Sequence, residues 1–224
     1  MAQGRQVGLC YRGVARRPQV KPSGSIAGLI LAGGASRRMG SPKALLRFQN
    51  ETFLDRMIRL FALVCDPVIV VLGHNAPQIR AGLQNPGAAV FTVNSDPERG
   101  MLTSLQCGLA AVPANAAAVM FAPVDHPHLQ ASTLEALAST FQAARAPVTV
   151  PVYAGEHGHP VCISRALVDE LLALPATAMA SDVIHRYVGE TCYFEVDDPA
   201  VVTDIDDPAA YAGLMAAQES QRLP

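Results

Sequence analysis

The sequence predicts an α/β protein with a mostly parallel sheet covered on both faces, and three observations lead there. Apolar runs of strand length alternate with segments of helical period, the order expected of repeated βα units. One pair of apolar runs, "PVTVPVY" and "GHPVCIS", is separated only by "AGEH", too short for a helical crossover, so one strand should run antiparallel to its neighbour. Glycines, an asparagine and aspartates fall where the runs end, which is where open α/β sheets bind ligands.

Taken in order, "SIAGLILAG" reads as the first strand and "NETFLDRMIRLFALV" as a helix, with Asn50 as its candidate N-cap and a stripe at Phe53, Leu54, Met57, Ile58 and Phe61. "PVIVVLG" is a short buried strand, "APQIRAGLQ" a helix and "AAVFTVN" the third strand. The helix "LTSLQCGLAAV" precedes "AAAVMFAPVD", a strand that ends in an acid. The helix "ASTLEALASTFQAA" leads to the antiparallel pair. Two helices, "ALVDELLAL" and "ASDVIHRYV", a strand "CYFEVDD" and a closing helix in "DIDDPAAYAGLMAAQES" complete the chain.

With 224 residues, 50% hydrophobic and 16% charged, the chain has material for one sizeable core, and a single domain over 26–224 is expected. All five charged side chains before Ser25 are basic, and residues 1–25 read as a flexible basic extension. They lack the apolar centre of a secretory signal; a transit peptide or a misplaced start would give the same pattern. A net charge of -2 and a pI near 6.3 argue against a general nucleic-acid binder. No apolar run reaches the roughly 18 to 20 residues that span a bilayer. Five scattered cysteines without a C-x-x-C pair suggest reduced thiols and a cytoplasmic protein.

The chemistry concentrates at strand ends. "LILAGGASRRMGSPKALL" follows the first strand with Gly33 and Gly34, whose amides can approach an anion closely, and with Arg38 and Lys43, which bring full charge. It is neither a P-loop nor a dinucleotide fingerprint; a plain glycine turn with solvated arginines is the bland alternative. Asp125 ends "FAPVD", a place suited to holding Mg²⁺ against phosphate oxygens, or merely to capping a turn. In "TDIDDP" an extended Asp204-Ile205-Asp206 would put both carboxylates on one side and Ile205 in the core, so either acid could complete a metal site or form a solvated turn. His126-x-His128 and His157-x-His159 are tempting as zinc ligands, but each pair flanks a proline in a turn and no third ligand is obvious.

"LAGGASRRMGSPKALL", "NSDPERGMLTSLQCGL", "APVDHPHL", "GHPV" and "DIDDPAAY", in that order, resemble the motifs of the nucleotidyltransferases of molybdenum cofactor biosynthesis, over roughly residues 26 to 215. The resemblance implies a Rossmann-like three-layer sandwich of the glycosyltransferase-A type. It also implies transfer of CMP or GMP from CTP or GTP to a molybdopterin-type acceptor, with pyrophosphate released. Leu31, Ala32, Gly33 and Gly34 would line base and ribose. Asn94, Gly100, Met101 and Ser104 would border the nucleoside. Arg38 and Lys43 would face the triphosphate, while Asp125 and Asp206, with Asp204 in reserve, would bind Mg²⁺. His159 would contact the acceptor or sit buried against backbone. A molybdoenzyme or its chaperone is a further implied partner; neither nucleic acid nor membrane is.

Three departures concern the acceptor side: Asp207 stands where the family has Thr, Ala209 and Ala210 where it often has acids, and "ATAMASDVI" lacks an arginine often found there. Base preference is split, since "LAGG" goes with GTP use whereas "GMLTSL" and "GHPV" look like the cytidylyltransferase branch; the resemblance to that branch is favoured, with GTP use left open. The same cradle would serve a sugar-phosphate nucleotidyltransferase, and a non-catalytic nucleotide-binding accessory protein would keep the fold without needing Lys43, Asp125 and Asp206 together.

Overall fold

The computed structural model describes residues 24–175 and 177–220. The expected basic extension, apart from Gly24 and Ser25, lies outside the described residues. The chain opens with β1 (Ile26–Ala32), a hairpin of β2 (Arg47–Phe48) and β3 (Glu51–Thr52), α1 (Phe53–Phe61), β4 (Val68–Leu72), α2 (Ala76–Gly82) and β5 (Val90–Val93). It continues through α3 (Met101–Ala110), β6 (Ala118–Pro123), α4 (Ala131–Ala144), β7 (Val148–Tyr153), β8 (Glu156–His157) and β9 (Val161–Ser164). Then come α5 (Arg165–Leu172), α6 (Ala180–Arg186), β10 (Cys192–Glu195) and α7 (Pro208–Ser220).

The main sheet runs β10-β7-β9-β6-β1-β4-β5, with the short β8 paired to β7. β9 is antiparallel to both β6 and β7, as a connection too short for a helical crossover required, and β8 is antiparallel to β7; the remaining pairs are parallel. β1 lies between β4 and β6 with all seven residues buried, which explains its unbroken apolar sequence. Alternate residues feed two cores. Ile26 and Ile30 pack with Phe53, Met57 and Phe61 of α1 and Leu134 and Phe141 of α4 on one face. Ala27, Leu29 and Leu31 pack with Leu105 and Leu109 of α3, Leu167 of α5 and Val183 of α6 on the other.

Two local features position the site. Gly108 lets α3 lie close on the sheet, since a Cβ there would stand 2.2 Å from Leu29 Cδ1. The start of α1 differs from expectation: its cap is Thr52, not Asn50. Thr52 Oγ1 accepts from Asp55 N at 3.0 Å and donates to Asp55 Oδ2 at 2.6 Å. Asn50 is instead in the two-residue hairpin turn, where Gln49 and Asn50 have φ of 51° and 71°. Positive φ at both positions matches the right-handed twist of a tight hairpin, and Asn tolerates it.

Candidate functional site

The segment after β1 folds on itself. Ser36, at φ 51°, accepts from the amides of Met39 and Gly40 through its carbonyl and from Lys43 N, at 3.0 Å, through its hydroxyl. Lys43 then begins a short 3-10 turn, Lys43–Leu45, anchored by buried Ala44. Asp125 follows β6, where Val124 N still bonds Leu31 O at 3.0 Å. Asp206 arrives on the extended segment before α7; Ile205 is buried at 2% exposure and its amide donates to Asp125 O at 2.9 Å. The alternation in Asp204-Ile205-Asp206 thus directs Ile205 inward and leaves its neighbours accessible.

These segments converge on one ammonium group. Lys43 Nζ donates to Asp125 Oδ2 at 3.0 Å and also bonds Asp206 Oδ1, while Arg38 bonds Asp206 Oδ2. Burial alone would lower the Lys43 pKa, but the bonds to Asp206 and Asp125 outweigh it and hold the ammonium above its ordinary value. The Lys43 bond, opposed by partial burial and helped by Arg38, keeps Asp206 below the usual carboxylate range. Among the described residues Asp125 Oδ1 is buried with no hydrogen-bond partner.

Above these four charged side chains opens a cavity of about 330 Å³. Of the expected nucleotide-site residues, Leu31, Ala32, Gly33, Gly34, Arg38, Lys43, Gly100, Met101, Ser104, Asp125 and Asp206 all border it. Asn94 does not. It is buried beneath, donating to Thr103 Oγ1 at 3.0 Å and Ser104 Oγ at 3.1 Å and accepting from Asp96 N at 3.0 Å, so it ties the end of β5 to α3. Gly33 is held close to the same serine, for a Cβ would lie 3.0 Å from Ser104 Oγ. Sequence reasoning passed over Ser36, Ile79 and Pro97, which also line the cavity, and Arg37, which pairs with Glu98 at 2.7 Å. The adjacent arginines carried no signal for which would turn to the acids.

His159 lies off the cavity lining. Its amide donates to Val201 O at 2.8 Å, its ring packs edge-on to Phe121 with centroids 6.5 Å apart, and burial pushes its pKa down to about 4. Burial takes His128 to about 4 as well. Among the described residues no group of three or more His, Cys, Asp or Glu side chains is gathered to hold a metal ion by itself. A magnesium site does not require one, since that ion uses one or two carboxylates together with substrate phosphates and water. Asp125, with a buried unpartnered oxygen, and Asp206, gathered onto the same cation, fit that pattern. Burial raises the Cys65 thiol to about 12 and Cys162 well above its usual value, which leaves them poor nucleophiles. No described helix is long and apolar enough to cross a membrane.

The mixed sheet, flanked by helices, has the glycosyltransferase-A-like fold of the nucleotidyltransferases. The chain belongs to the family of the MobA-like NTP transferase domain, whose model matches residues 28–191. It is 26% identical over 181 residues to the molybdenum cofactor cytidylyltransferase of Escherichia coli strain K12, covering 80% of this chain and 90% of that protein. A probable molybdenum cofactor guanylyltransferase of Rhodopirellula baltica is 37% identical over 115 residues, about half of each chain (50% and 54%). Among solved structures, Rv0371c of Mycobacterium tuberculosis H37Rv superposes with a TM-score of 0.77 at 28% identity, covering 86% of this chain and 98% of that one. A manganese complex of the same protein superposes with a TM-score of 0.71 at 25% identity, over 86% and 99% of the two chains.

Proposed function

We propose that this protein transfers CMP or GMP from the corresponding triphosphate to a phosphorylated acceptor of the molybdopterin type, with pyrophosphate released and magnesium required. The observation that carries the reading is the meeting of Lys43 with Asp125 and Asp206 at the floor of the cavity. A pure nucleotide binder gains little from two acids held under a triphosphate site, whereas transfer needs charge compensation on both sides of the α-phosphorus.

In this reading the bond that forms joins an acceptor phosphate oxygen to the α-phosphorus, and the bond that breaks is the one to the β-phosphate oxygen. Lys43 and Arg38 turn from the carboxylates to the triphosphate and stabilise the charge that collects on the departing pyrophosphate. Asp125 and Asp206 would hold the magnesium ion, which supplies neutralisation of the phosphate oxygens when bound. The backbone around Gly33 and Gly34 and the start of α3 at Met101 hold the nucleoside, so that much of the rate arises from alignment. The relatives' names divide between cytidylyl and guanylyl transfer, and for this chain we favour the cytidylyl reaction on the match that spans the larger share of both chains.

The test is pyrophosphate release with Mg²⁺ from CTP, GTP, ATP and UTP, each with and without molybdopterin, with Asp125→Ala as control. Acceptor-dependent release from CTP or GTP that the variant loses supports the assignment. Nucleotide binding without release from any of the four would overturn it.

A further inference from the structure

We propose that His126 is a positioning residue that sets the separation of Asp125 and Asp206, acting through a bond from its ring to the segment that carries Asp206; this rests on the metal-site reading above. The ring is buried at 4% exposure, and its Nδ1 lies 2.9 Å from Ala200 O. A carbonyl only accepts, so Nδ1 carries the proton and donates. Nε2 faces Asp125 Oδ1 at 3.8 Å, too far for a hydrogen bond. The influence of His126 on the acids therefore runs through the backbone on each side: directly into Asp125, its neighbour in sequence, and across the ring bond into Ala200.

Ala200 lies in a short 3-10 turn, Pro199–Val201, and the chain from this turn to Ile205 is a strap pinned along its length. At its start Asp198 accepts from Ala200 N at 3.1 Å and reaches across to the beginning of α4, accepting from Gln130 N at 3.0 Å and Thr133 Oγ1 at 2.6 Å. Val201 O accepts from the amide of His159, and Gly158 leaves no slack there, because a Cβ would stand 2.5 Å from that same oxygen. At its end Ile205 N bonds Asp125 O. The ring of His126, the residue beside Asp125, bonds the opening turn of this strap, so the two carboxylates are fixed to one frame although they come from opposite ends of the second half of the chain. Groups bonded directly to metal ligands are usually worth 10- to 100-fold in affinity, and a tie one step removed, through the backbone, belongs at the lower end of that range.

The experiment titrates the full chain with Mn²⁺ alone and reads the free-ion EPR signal, with thermal melting followed in parallel. His126→Phe keeps an aromatic ring, somewhat larger, and removes the bond, and about 10-fold weaker Mn²⁺ binding is expected. His126→Asn places an amide N–H near the Nδ1 position and is expected to bind within about 3-fold of the parent, a rescue that a packing role would not give. If His126→Phe does not fold, His126→Asn against His126→Ala carries the same comparison. Parent-like affinity in His126→Phe, or equal weakness in the Phe and Asn variants at equal melting temperature, would overturn the proposal. Absence of Mn²⁺ binding by the parent, or binding indifferent to Asp206→Asn, would instead remove the metal-site reading, and this proposal with it.

Discussion

Lys43 Nζ stands 3.0 Å from Asp125 Oδ2, across 82 residues of sequence, and the same ammonium bonds Asp206. The lysine thus compensates the charge of the acids that the proposed metal would use. Lys43→Met removes a cation from the triphosphate and also the group that competes with a metal. The expected result is a fall in kcat of about 10² to 10³ together with tighter Mn²⁺ binding in the absence of nucleotide. Single-turnover kinetics and a metal titration check the two halves separately.

Asp125→Asn should separate stability from activity. The substitution keeps shape and supplies N–H donors where a buried carboxylate oxygen lacks a partner, while removing the charge. Turnover should fall by about 10² or more, and the melting temperature should stay within roughly 3 °C of the parent. A large loss of stability would mean that the carboxylate charge is part of the fold's support.

Gly33→Ala places a Cβ 3.0 Å from Ser104 Oγ, a hydroxyl already committed to Asn94 Nδ2. Overpacking of this size costs about 1 kcal/mol, or roughly 2 to 4 °C in a chain of this length. The double variant Gly33→Ala, Ser104→Ala should recover most of that loss. Since both residues border the cavity, the ratio of CTP to GTP turnover should change in the single variant.

His128 and His159, both lowered to about 4 by burial, predict an acid-side slope. In the unfolded chain each takes up a proton near its ordinary pKa of about 6.5; the folded protein does so only near 4. Between these values the unfolded state binds more protons, so stability falls as pH drops from about 6.5 toward 4. Asp206 acts in a lower window: its folded pKa is depressed, so its contribution is present above the ordinary carboxylate value and is lost only as pH falls through the folded value. Replacing His128 and His159 by Asn and Gln should flatten the upper slope in denaturation curves and leave the lower one.

The parts of this molecule legible in the sequence were those written in periodicity and position. β1 announced itself as an unbroken apolar run, the reversal at β9 followed from a connection too short to cross over, and Asp125 and Asp206 stood out because they end or follow strands. The β2–β3 hairpin is hidden because Gln49-Asn50 is a weaker turn signal than Asn-Gly, and in local pattern Asn50 is indistinguishable from a helix cap. The bond from His126 to Ala200 joins residues 74 apart, and nothing in local pattern encodes a contact of that range. Asn94 was visible as a strand-end residue, but only the packing of α3 shows that it braces the cavity wall rather than lining it.

The reversal at β9 also turns a helix over. α1, α3 and α4 begin at the end of the sheet where Asp125 lies, so their amide ends face that side. α5 starts at the opposite end, where Arg165 N bonds Ala117 O just before β6. Its carbonyl end therefore points the other way from theirs, and Gln106 of α3 caps it by donating to Leu171 O and Leu174 O, both at 2.9 Å. The dipole of α5 therefore opposes those of α1, α3 and α4. The carbonyl end that β9 turns toward the side of Asp125 would repel an anion within its last turn, and the amide of Gln106 covers it there, so the reversed helix need not oppose phosphate binding beside the loop of Arg38 and Lys43.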